Sequence, residues 1–189
     1  DNIVGHVQIR GDNVSRGYYQ DPQSTQAAIS ADDWLDTGDL GFLSAGGLAI
    51  TGRSKEILFV SGQNYYPHDL EAVIEKHAGI EPGKAAVCGV RPDNAATDDA
   101  LAFILYRGEL RDFIMTARSV RKCVNEHIGI VVSHVIPVSK IPKTTSGKTQ
   151  RYLLAAAYQK GEFREVLARL HELAATASGT ASEAHSEIE

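Results

Sequence analysis

The chain has 189 residues, a formal net charge of −5 and 43% hydrophobic residues, which is ordinary for a globular protein. An acidic chain lacks the basic face that phosphate backbones need, so we expect no nucleic acid partner. No apolar run approaches the roughly 20 residues that cross a bilayer, and we expect a cytoplasmic protein without a membrane span. Cys88 and Cys123 stand in apolar contexts and are predicted to be buried free thiols rather than a disulfide or metal ligands.

The first part of the chain predicts a short β-rich piece. Residues 3–10 are strand-like and end at a Gly-containing break, and residues 21–33 are polar enough for a loop or short helix. Two Gly turns, TGD at residues 37–39 and AGG at residues 45–47, flank short apolar runs, a pattern typical of a small β meander. A piece of this size has a thin core. Because the chain also begins without Met, we expect it to continue a longer protein.

From residue 54 onward the pattern predicts a compact α+β domain. The predicted strands are residues 56–60, 63–66, 85–90, 100–106 and 131–138. Helices are predicted from Pro67, from Leu110, from about residue 149 and from Phe163, because apolar residues recur there at helical spacing. Ser61-Gly62 between the first two strands indicates a tight hairpin. The tail is rich in Ala, Ser, Thr and Glu and is predicted to be disordered, since it has too few apolar residues to pack.

Residues 142–149 form a polar loop, PKTTSGKT, that nearly matches a phosphate-binding P-loop. That motif needs a Gly, four residues and then Gly-Lys-Ser/Thr, with backbone amides around the phosphates. Pro142 stands where the first Gly belongs, and proline has neither an amide hydrogen nor a free φ angle. A P-loop nucleotide switch is therefore disfavoured. Lys148 is predicted instead to be a cation presented on a mobile loop.

Four patterns follow one another along the chain. They are GHVQIRG (5–11) with RGYY (16–19), WLDTGDL (34–40), GRSKE (52–56) with GQNYYPHDLE (62–71), and KIPKTTSGKTQR (140–151). In this order and spacing they resemble the adenylate-forming superfamily of acyl-CoA synthetases, peptide-synthetase adenylation domains and luciferases, over essentially residues 5–158. The third and fourth patterns, with NEH at residues 125–127, look most like fatty acyl-AMP ligases. Gln63 replaces the arginine usual in that subfamily.

The resemblance implies a domain organisation. Residues 1–53 would complete a large adenylating domain, residues 54–55 would be a hinge centred on Lys55, and residues 56–175 would form a mobile α+β C-terminal lid. Residues 176–189 would be the disordered tail. The large domain and its phosphate loop would lie upstream, so we expect the chain alone to be inactive.

The resemblance also implies an activity. Such an enzyme uses ATP and Mg²⁺, whose ligands would lie largely upstream, to convert a fatty acid or another carboxylic acid to acyl-AMP. The acyl group then passes to the phosphopantetheine thiol of an acyl carrier protein. Two alternatives stay open: an acyl-CoA synthetase that uses free coenzyme A, and a module that only binds a carrier protein. Arg118, Arg121 and Lys122 form a basic helix face that would suit an acidic carrier or be merely solvated.

Site residues are assigned by the same resemblance. Lys148 would bridge the substrate carboxylate and the ATP α-phosphate, where an ammonium stabilises the charge of the transition state. Asp39 would accept hydrogen bonds from the ribose hydroxyls, and Arg53 would contact the ribose or phosphate. The plainer alternatives are a solvated lysine, a turn-capping aspartate and an exposed arginine.

The second half-reaction would use the predicted hairpin. Rotation about Lys55 would carry Lys148 away, and Gly62, Asn64 and Tyr65 would then line the channel for the thiol. A plain hairpin turn explains Gly62 equally well. Tyr19 and Trp34 are predicted to be packing residues. The histidines show no metal-ligand spacing, and we predict no metal site in this chain.

Overall fold

The computed structural model describes residues 3–183, with side chains as far as residue 176. The chain divides into two compact units, Asp1–Ile57 and Leu58–Glu189. This division falls beside the predicted hinge at residues 54–55, whose action as a hinge stays a prediction. Lys55 itself lies in a short 3-10 turn, Ser54–Glu56, and its side chain is exposed.

The first unit is an antiparallel sheet with one short helix. Strands β1 (Gly5–Ile9), β2 (Leu35–Ser44) and β3 (Gly47–Arg53) pair in the order β1-β2-β3. Helix α1 (Pro22–Ala28) begins at Asp21, whose carboxylate accepts a hydrogen bond from the Ser24 amide at 2.9 Å. That hydrogen bond lowers the pKa of Asp21. Within residues 3–57 the buried hydrophobic side chain is Val7, at 8% exposure, which agrees with the thin core expected for this piece.

The Thr37-Gly38-Asp39 segment lies inside β2, and the predicted turn at this position is wrong. The pairing of β1 with β2 shifts register there, because His6 faces Leu40 whereas Gln8 faces Asp36. Gly38 takes a left-handed conformation, with φ of 73°. The sequence signal for a turn instead marks a bulge, where extra residues bend one strand without ending it.

The second unit begins with the predicted hairpin. Strands β4 (Leu58–Val60) and β5 (Gln63–Tyr65) pair antiparallel around Ser61 and Gly62. Both turn residues have positive φ, 50° for Ser61 and 83° for Gly62, as a type I′ turn requires. The turn conformation is therefore sufficient to explain a glycine at position 62.

A mixed three-stranded sheet forms the centre of the second unit. Strands β6 (Ala85–Val90) and β7 (Asp99–Leu105) run antiparallel, and β8 (Val132–Val138) runs parallel to β7. The parallel connection passes through helix α3 (Leu110–Ile128), since parallel neighbours need a long crossover. The other helices are α2 (Pro67–His77), α4 (Arg151–Gln159) and α5 (Arg164–Glu183).

Two apolar clusters cover the faces of this sheet. Alternate residues of β7 point to opposite clusters: Ala102 and Ile104 join α2 and α3, whereas Leu101 and Phe103 join α4 and the start of α5. Strands buried on both faces are continuously apolar, which is why the sequence shows runs here rather than alternation. The predicted α+β fold is confirmed.

Two further predictions concern the cysteines and the C-terminal tail. Cys88 and Cys123 are buried free thiols, as predicted, and burial raises the pKa of Cys88 to about 12. Helix α5 extends to Glu183, so residues 176–183 of the predicted disordered tail are helical, while residues 184–189 lie outside the described residues. No helix among the described residues is long and apolar enough to cross a membrane.

Candidate functional site

The loop that carries Lys148 is a closed turn. Lys143 and Thr149 form an isolated antiparallel bridge, and the Gly147 amide donates to the Thr144 carbonyl at 2.9 Å. Gly147 has φ of 85°. A tight turn followed by a left-handed glycine is the common geometry of a three-residue hairpin loop. The mobility predicted for this loop is therefore not a property of the turn itself, which has its own hydrogen bonds.

Backbone amides of this loop point inward. The Thr144 amide donates to the Lys148 carbonyl at 2.8 Å, and the Lys148 amide donates to the Thr144 hydroxyl at 3.0 Å. The Gln150 amide donates to the Pro142 carbonyl at 2.9 Å. Amides engaged within the turn are unavailable to cradle a phosphate. The rejection of a P-loop on Pro142 alone thus gains a second reason.

Lys148 is exposed. Among the residues that the structure describes, its ammonium has no hydrogen-bond or ion-pair partner. An exposed ammonium on a well-formed turn is free to meet an anionic ligand.

A partly buried ion pair lies immediately after the loop. Arg151 donates from Nε to Glu71 Oε1 at 2.8 Å and from Nη2 to Glu71 Oε2 at 2.6 Å. The two side chains are 16% and 12% exposed. Glu71 Oε1 also accepts the Val87 amide at 2.8 Å, so the carboxylate ties the first residue of α4 to α2 and β6.

The predicted nucleotide residues Asp39 and Arg53 lie together on paired strands. They face each other across β2 and β3, with 3.1 Å between Arg53 Nε and Asp39 Oδ1. The bulge is braced by Thr37, whose hydroxyl donates to the Val7 carbonyl and accepts the Asp39 amide. One carboxylate oxygen of Asp39 is thereby occupied, while Oδ2 has no partner among residues 3–183.

A groove of about 560 Å³ opens beside these strands. Its lining includes Tyr18, Asp36, Arg53 and Lys55. Tyr18 is 60% exposed, and Tyr19 is 90% exposed, so Tyr19 does not pack as predicted. Trp34 is 38% exposed and carries the Arg10 guanidinium 4.9 Å from its ring centroid. Sequence reasoning missed Tyr18, although its place beside Gly17 in the first motif was a signal.

The hairpin candidates divide between its two faces. Gly62 and Asn64 are exposed, whereas Tyr65 packs against the apolar cluster under α2 and α3 and donates its hydroxyl to Gln63 at 3.1 Å. Residues next to each other in a strand point to opposite faces. Tyr65 is thus partly buried, whereas Gly62 and Asn64 are exposed, and the thiol-channel role of all three residues stays a prediction.

The hairpin is held by the segment before β7. The Phe59 amide donates to Asp98 Oδ2 at 2.7 Å, and Arg91 lies 2.8 Å from Asp98 Oδ1. Thr97 accepts the Ser61 amide at 3.1 Å and donates to the Phe59 carbonyl at 3.0 Å. The contacts of Thr97 and Asp98 with the hairpin join positions 36 to 39 residues apart, and no local sequence pattern predicts them.

The basic face of α3 is partly committed within the fold. Arg121 donates to the Val132 and Ser133 carbonyls at 3.3 and 3.4 Å, and Lys122 lies 3.8 Å from Glu126. Burial also lowers the pKa of Arg121. Arg118 is exposed. Carrier docking at this face stays a prediction.

Metal ligands are not grouped in the described chain. Residues 3–183 contain no cluster of three or more His, Cys, Asp or Glu side chains that could hold a metal ion. The described residues thus offer no ligand set for the Mg²⁺ that would accompany ATP, and no proposed step passes through that ion.

Known proteins are similar in sequence to most of this chain. No family model matches the chain. It is 32% identical over 166 residues to the nonribosomal peptide synthetase apvA of Aspergillus terreus, covering 85% of this chain and 18% of that protein. It is 35% identical over 178 residues to the putative fatty-acid–CoA ligase fadD25 of Mycobacterium tuberculosis, covering 85% and 30%. Identity to the long-chain-fatty-acid–AMP ligase FadD26 of M. tuberculosis is 34% over 184 residues, covering 87% and 31%.

Solved structures give the same relationship. The McyG A-PCP structure with phenylalanyl-adenylate superposes with a TM-score of 0.84 at 31% identity, covering 96% of this chain and 28% of that one. A structure from the fatty acyl-adenylate ligases of E. coli and L. pneumophila gives 0.71 at 31% identity, covering 86% and 29%. The chain thus spans less than a third of each relative named here. It belongs to the adenylate-forming superfamily and corresponds to the C-terminal portion of its larger members.

Proposed function

We propose that this chain is the C-terminal part of an ATP-dependent ligase that forms a fatty acyl-adenylate and passes the acyl group to a carrier-protein thiol. The observation that carries the proposal is the presentation of Lys148. An exposed ammonium without a protein partner stands on a turn that is closed by its own hydrogen bonds.

The first half-reaction joins a carboxylate to the ATP α-phosphorus. A carboxylate oxygen forms a bond to phosphorus while the bond to pyrophosphate breaks, which concentrates negative charge around the phosphorus. Lys148 donates hydrogen bonds to the carboxylate and to an α-phosphate oxygen. Its ammonium stabilises the transition state more than the separated reactants, because the charge is concentrated only there. Lys148 takes no proton in this step.

The ribose is assigned to the first unit. Asp39 Oδ2 accepts a hydroxyl hydrogen bond, while the contact between Oδ1 and Arg53 Nε at 3.1 Å holds the carboxylate in place. Arg53 is 57% exposed, so its remaining guanidinium donors are available to a phosphate or ribose oxygen. The pair therefore supplies both an acceptor and a donor to the nucleotide.

The second half-reaction is assigned to the hairpin of the second unit. The thiol attacks the acyl carbonyl carbon, AMP leaves, and the thiol proton passes to solvent or to the departing phosphate. Gly62 and Asn64 line the approach of the pantetheine arm, since both are exposed and their hairpin is braced by Thr97 and Asp98. Rotation about a hinge at Lys55 switches the protein from the first half-reaction to the second. The closed Lys148 turn moves as one body in this rotation.

A comparison of acceptors tests the proposal. The full-length protein is given a fatty acid and ATP, and then either free coenzyme A or a carrier protein bearing phosphopantetheine. We expect acyl-carrier product and little acyl-CoA. The resemblance to FadD26, named a fatty-acid–AMP ligase, supports this result, and the similar identity to fadD25, named a putative CoA ligase, supports the alternative. Efficient release of acyl-CoA would overturn the carrier assignment but not the adenylation role of Lys148. Binding of the carrier protein with neither acyl-adenylate nor acyl-carrier product would leave only the carrier-binding alternative.

A further inference from the structure

The structure assigns a positioning role to Glu71 and Arg151, which fix the Lys148 turn on helix α2. The inference rests on the proposed function, since it concerns how the adenylating lysine is held. Neither residue is placed in contact with the substrate. Their suggested effect reaches the reaction through the backbone that joins Arg151 to Lys148.

The Glu71–Arg151 pair fixes the orientation of the arginine side chain as well as its distance from the carboxylate. Arg151 makes two parallel hydrogen bonds to the Glu71 carboxylate, at 2.8 and 2.6 Å, and a fork of this kind fixes angle as well as distance. Glu71 Oε1 is itself held by the Val87 amide at 2.8 Å. The carboxylate therefore has little freedom to follow the arginine if α4 shifts.

Stability alone does not account for this geometry. The two side chains are partly buried, at 16% and 12% exposed, and an ion pair removed from water often stabilises a fold no better than well-packed apolar residues do. Leu154 already buries the adjoining turn of α4 in the apolar cluster. What the ion pair adds is a single allowed orientation for the start of α4.

Arg151 and Lys148 are joined by too few residues to move independently. Three residue steps span at most about 11 Å when fully extended, and this segment is not free. The Gln150 amide is bonded to the Pro142 carbonyl at 2.9 Å, and the Lys148 carbonyl is bonded to the Thr144 amide at 2.8 Å. The orientation of Arg151 is thus transmitted to the Lys148 backbone.

The other end of the turn returns to the same helix. Glu75 lies one turn after Glu71 on α2, a spacing that places both side chains on one face. Glu75 Oε1 accepts the Gly83 amide at 2.6 Å, and the Gly83 carbonyl accepts a long hydrogen bond from Lys143 Nζ at 3.4 Å. Helix α2 therefore braces both ends of the turn, strongly through Glu71 and weakly through Glu75.

Placement matters for the proposed reaction because the ammonium acts over hydrogen-bond distances. A displacement of about 1 Å in a catalytic group can cost about a hundredfold in rate. We expect Glu71→Gln and Arg151→Gln to lower the rate of acyl-adenylate formation by about ten- to a hundredfold. Transfer from preformed acyl-adenylate to the thiol acceptor should change less than about threefold, because that step does not use Lys148. Arg151→Lys keeps the charge but loses the paired hydrogen bonds of the guanidinium. Its adenylation rate should therefore lie between that of the unchanged protein and that of Arg151→Gln.

The experiment measures both half-reactions in the full-length protein, by single-turnover pyrophosphate release and by acyl transfer from added acyl-adenylate. Val124→Ala is the stability control, because Val124 lies on α3 with its side chain fully buried in the apolar cluster and belongs to no element of the turn. Melting temperatures are compared for all variants. Hydrogen exchange of the Thr144 and Lys148 amides gives a readout independent of activity, and it should accelerate in Glu71→Gln but not in Val124→Ala.

The outcomes separate this inference from the proposed function. Loss of adenylation in Lys148→Ala together with normal adenylation and unchanged exchange in Glu71→Gln would overturn the positioning role alone. Normal adenylation in Lys148→Ala would overturn the function itself. An equal loss of both half-reactions in Glu71→Gln and Val124→Ala, at similar melting temperatures, would reduce the pair to an ordinary stabilising contact. If Glu71→Gln does not fold, Arg151→Lys carries the same comparison.

Discussion

Thr144 and Lys148 close their turn on each other through two hydrogen bonds. The Thr144 amide donates to the Lys148 carbonyl at 2.8 Å, and the Lys148 amide donates to the Thr144 hydroxyl at 3.0 Å. Thr144 also lies 3.0 Å from the Ser146 hydroxyl. A single side chain therefore organises the turn that presents the lysine. When Lys148 moves between the two proposed half-reactions, the whole turn therefore moves with it, and the loop does not deform by itself.

Thr144→Val should loosen this turn while keeping the size of the side chain. The Lys148 amide loses its acceptor, and one hydrogen bond contributes about 1 kcal/mol, so we expect adenylation to slow by roughly fivefold. Thr144→Ser retains the hydroxyl and should keep most of the activity. Single-turnover pyrophosphate release from the full-length protein measures both variants. Equal rates for Val and Ser would show that the hydroxyl has no part in placing Lys148.

Lys148→Ala in the full-length protein should abolish most adenylation and spare thiol transfer. Loss of one preorganised donor to a developing charge costs about 10²–10³-fold in rate, and we expect a loss in this range for acyl-adenylate formation. Transfer from added acyl-adenylate should be nearly unchanged. Lys160→Ala is a matched control, because it removes another exposed lysine in the same unit, just after α4. Loss of both half-reactions in Lys148→Ala would contradict separate roles for the two states.

Much of the fold could be predicted because its signals are local. The hairpin at Ser61 and Gly62 and the bounds of β6 follow from turn chemistry and apolar runs, and both are confirmed. Thr37-Gly38-Asp39 gives the same local signal as a turn, but pairing on both sides of β2 holds it within the strand. Local propensity yields to such pairing when both neighbouring strands are present.

The ion pair of Glu71 and Arg151 could not be predicted from either residue, since eighty positions separate them. One signal was available in hindsight. Arg151 is the first residue of α4, where a cation opposes the helix dipole, so a compensating carboxylate was to be expected. Which carboxylate it would be depends on how α2 and α4 pack on the sheet, and no spacing rule contains that information.

The 189-residue chain should form no acyl-adenylate by itself. It carries Lys148 and the proposed ribose residues, but it spans less than a third of the relatives named above. Pyrophosphate exchange with fatty acid and ATP should therefore stay at background for the chain and appear with the full-length protein. A folded chain, checked by circular dichroism, is the necessary control. Exchange above background would mean that the acyl pocket and phosphate site lie within these residues.

Stability of the chain should fall as the pH is lowered from about 7.5 to 5.5. The pKa of His134 is lowered by burial and then by the charge of Arg121, against a smaller opposing effect of Asp99. The pKa of His77 is lowered by burial, by His127, whose ring stacks 3.9 Å away, and by Lys76. A histidine whose folded pKa is lowered binds fewer protons when folded than when unfolded. The stabilising contribution is therefore complete above the unfolded pKa of about 6.5 and is lost as the pH falls towards the folded pKa.

His134→Gln should remove part of this pH dependence. One pKa unit corresponds to about 1.4 kcal/mol, and solvent screens a half-buried ring, so we expect a contribution from His134 below about 1 kcal/mol. Urea unfolding at pH 7.5 and 5.5 measures the difference in midpoint for the chain and the variant. His171→Gln is the control, because His171 is exposed and should leave the difference unchanged. A variant at His134 that keeps the full pH dependence would assign the effect to His77. Unfolding midpoints that rise as the pH falls would contradict the sign of both shifts.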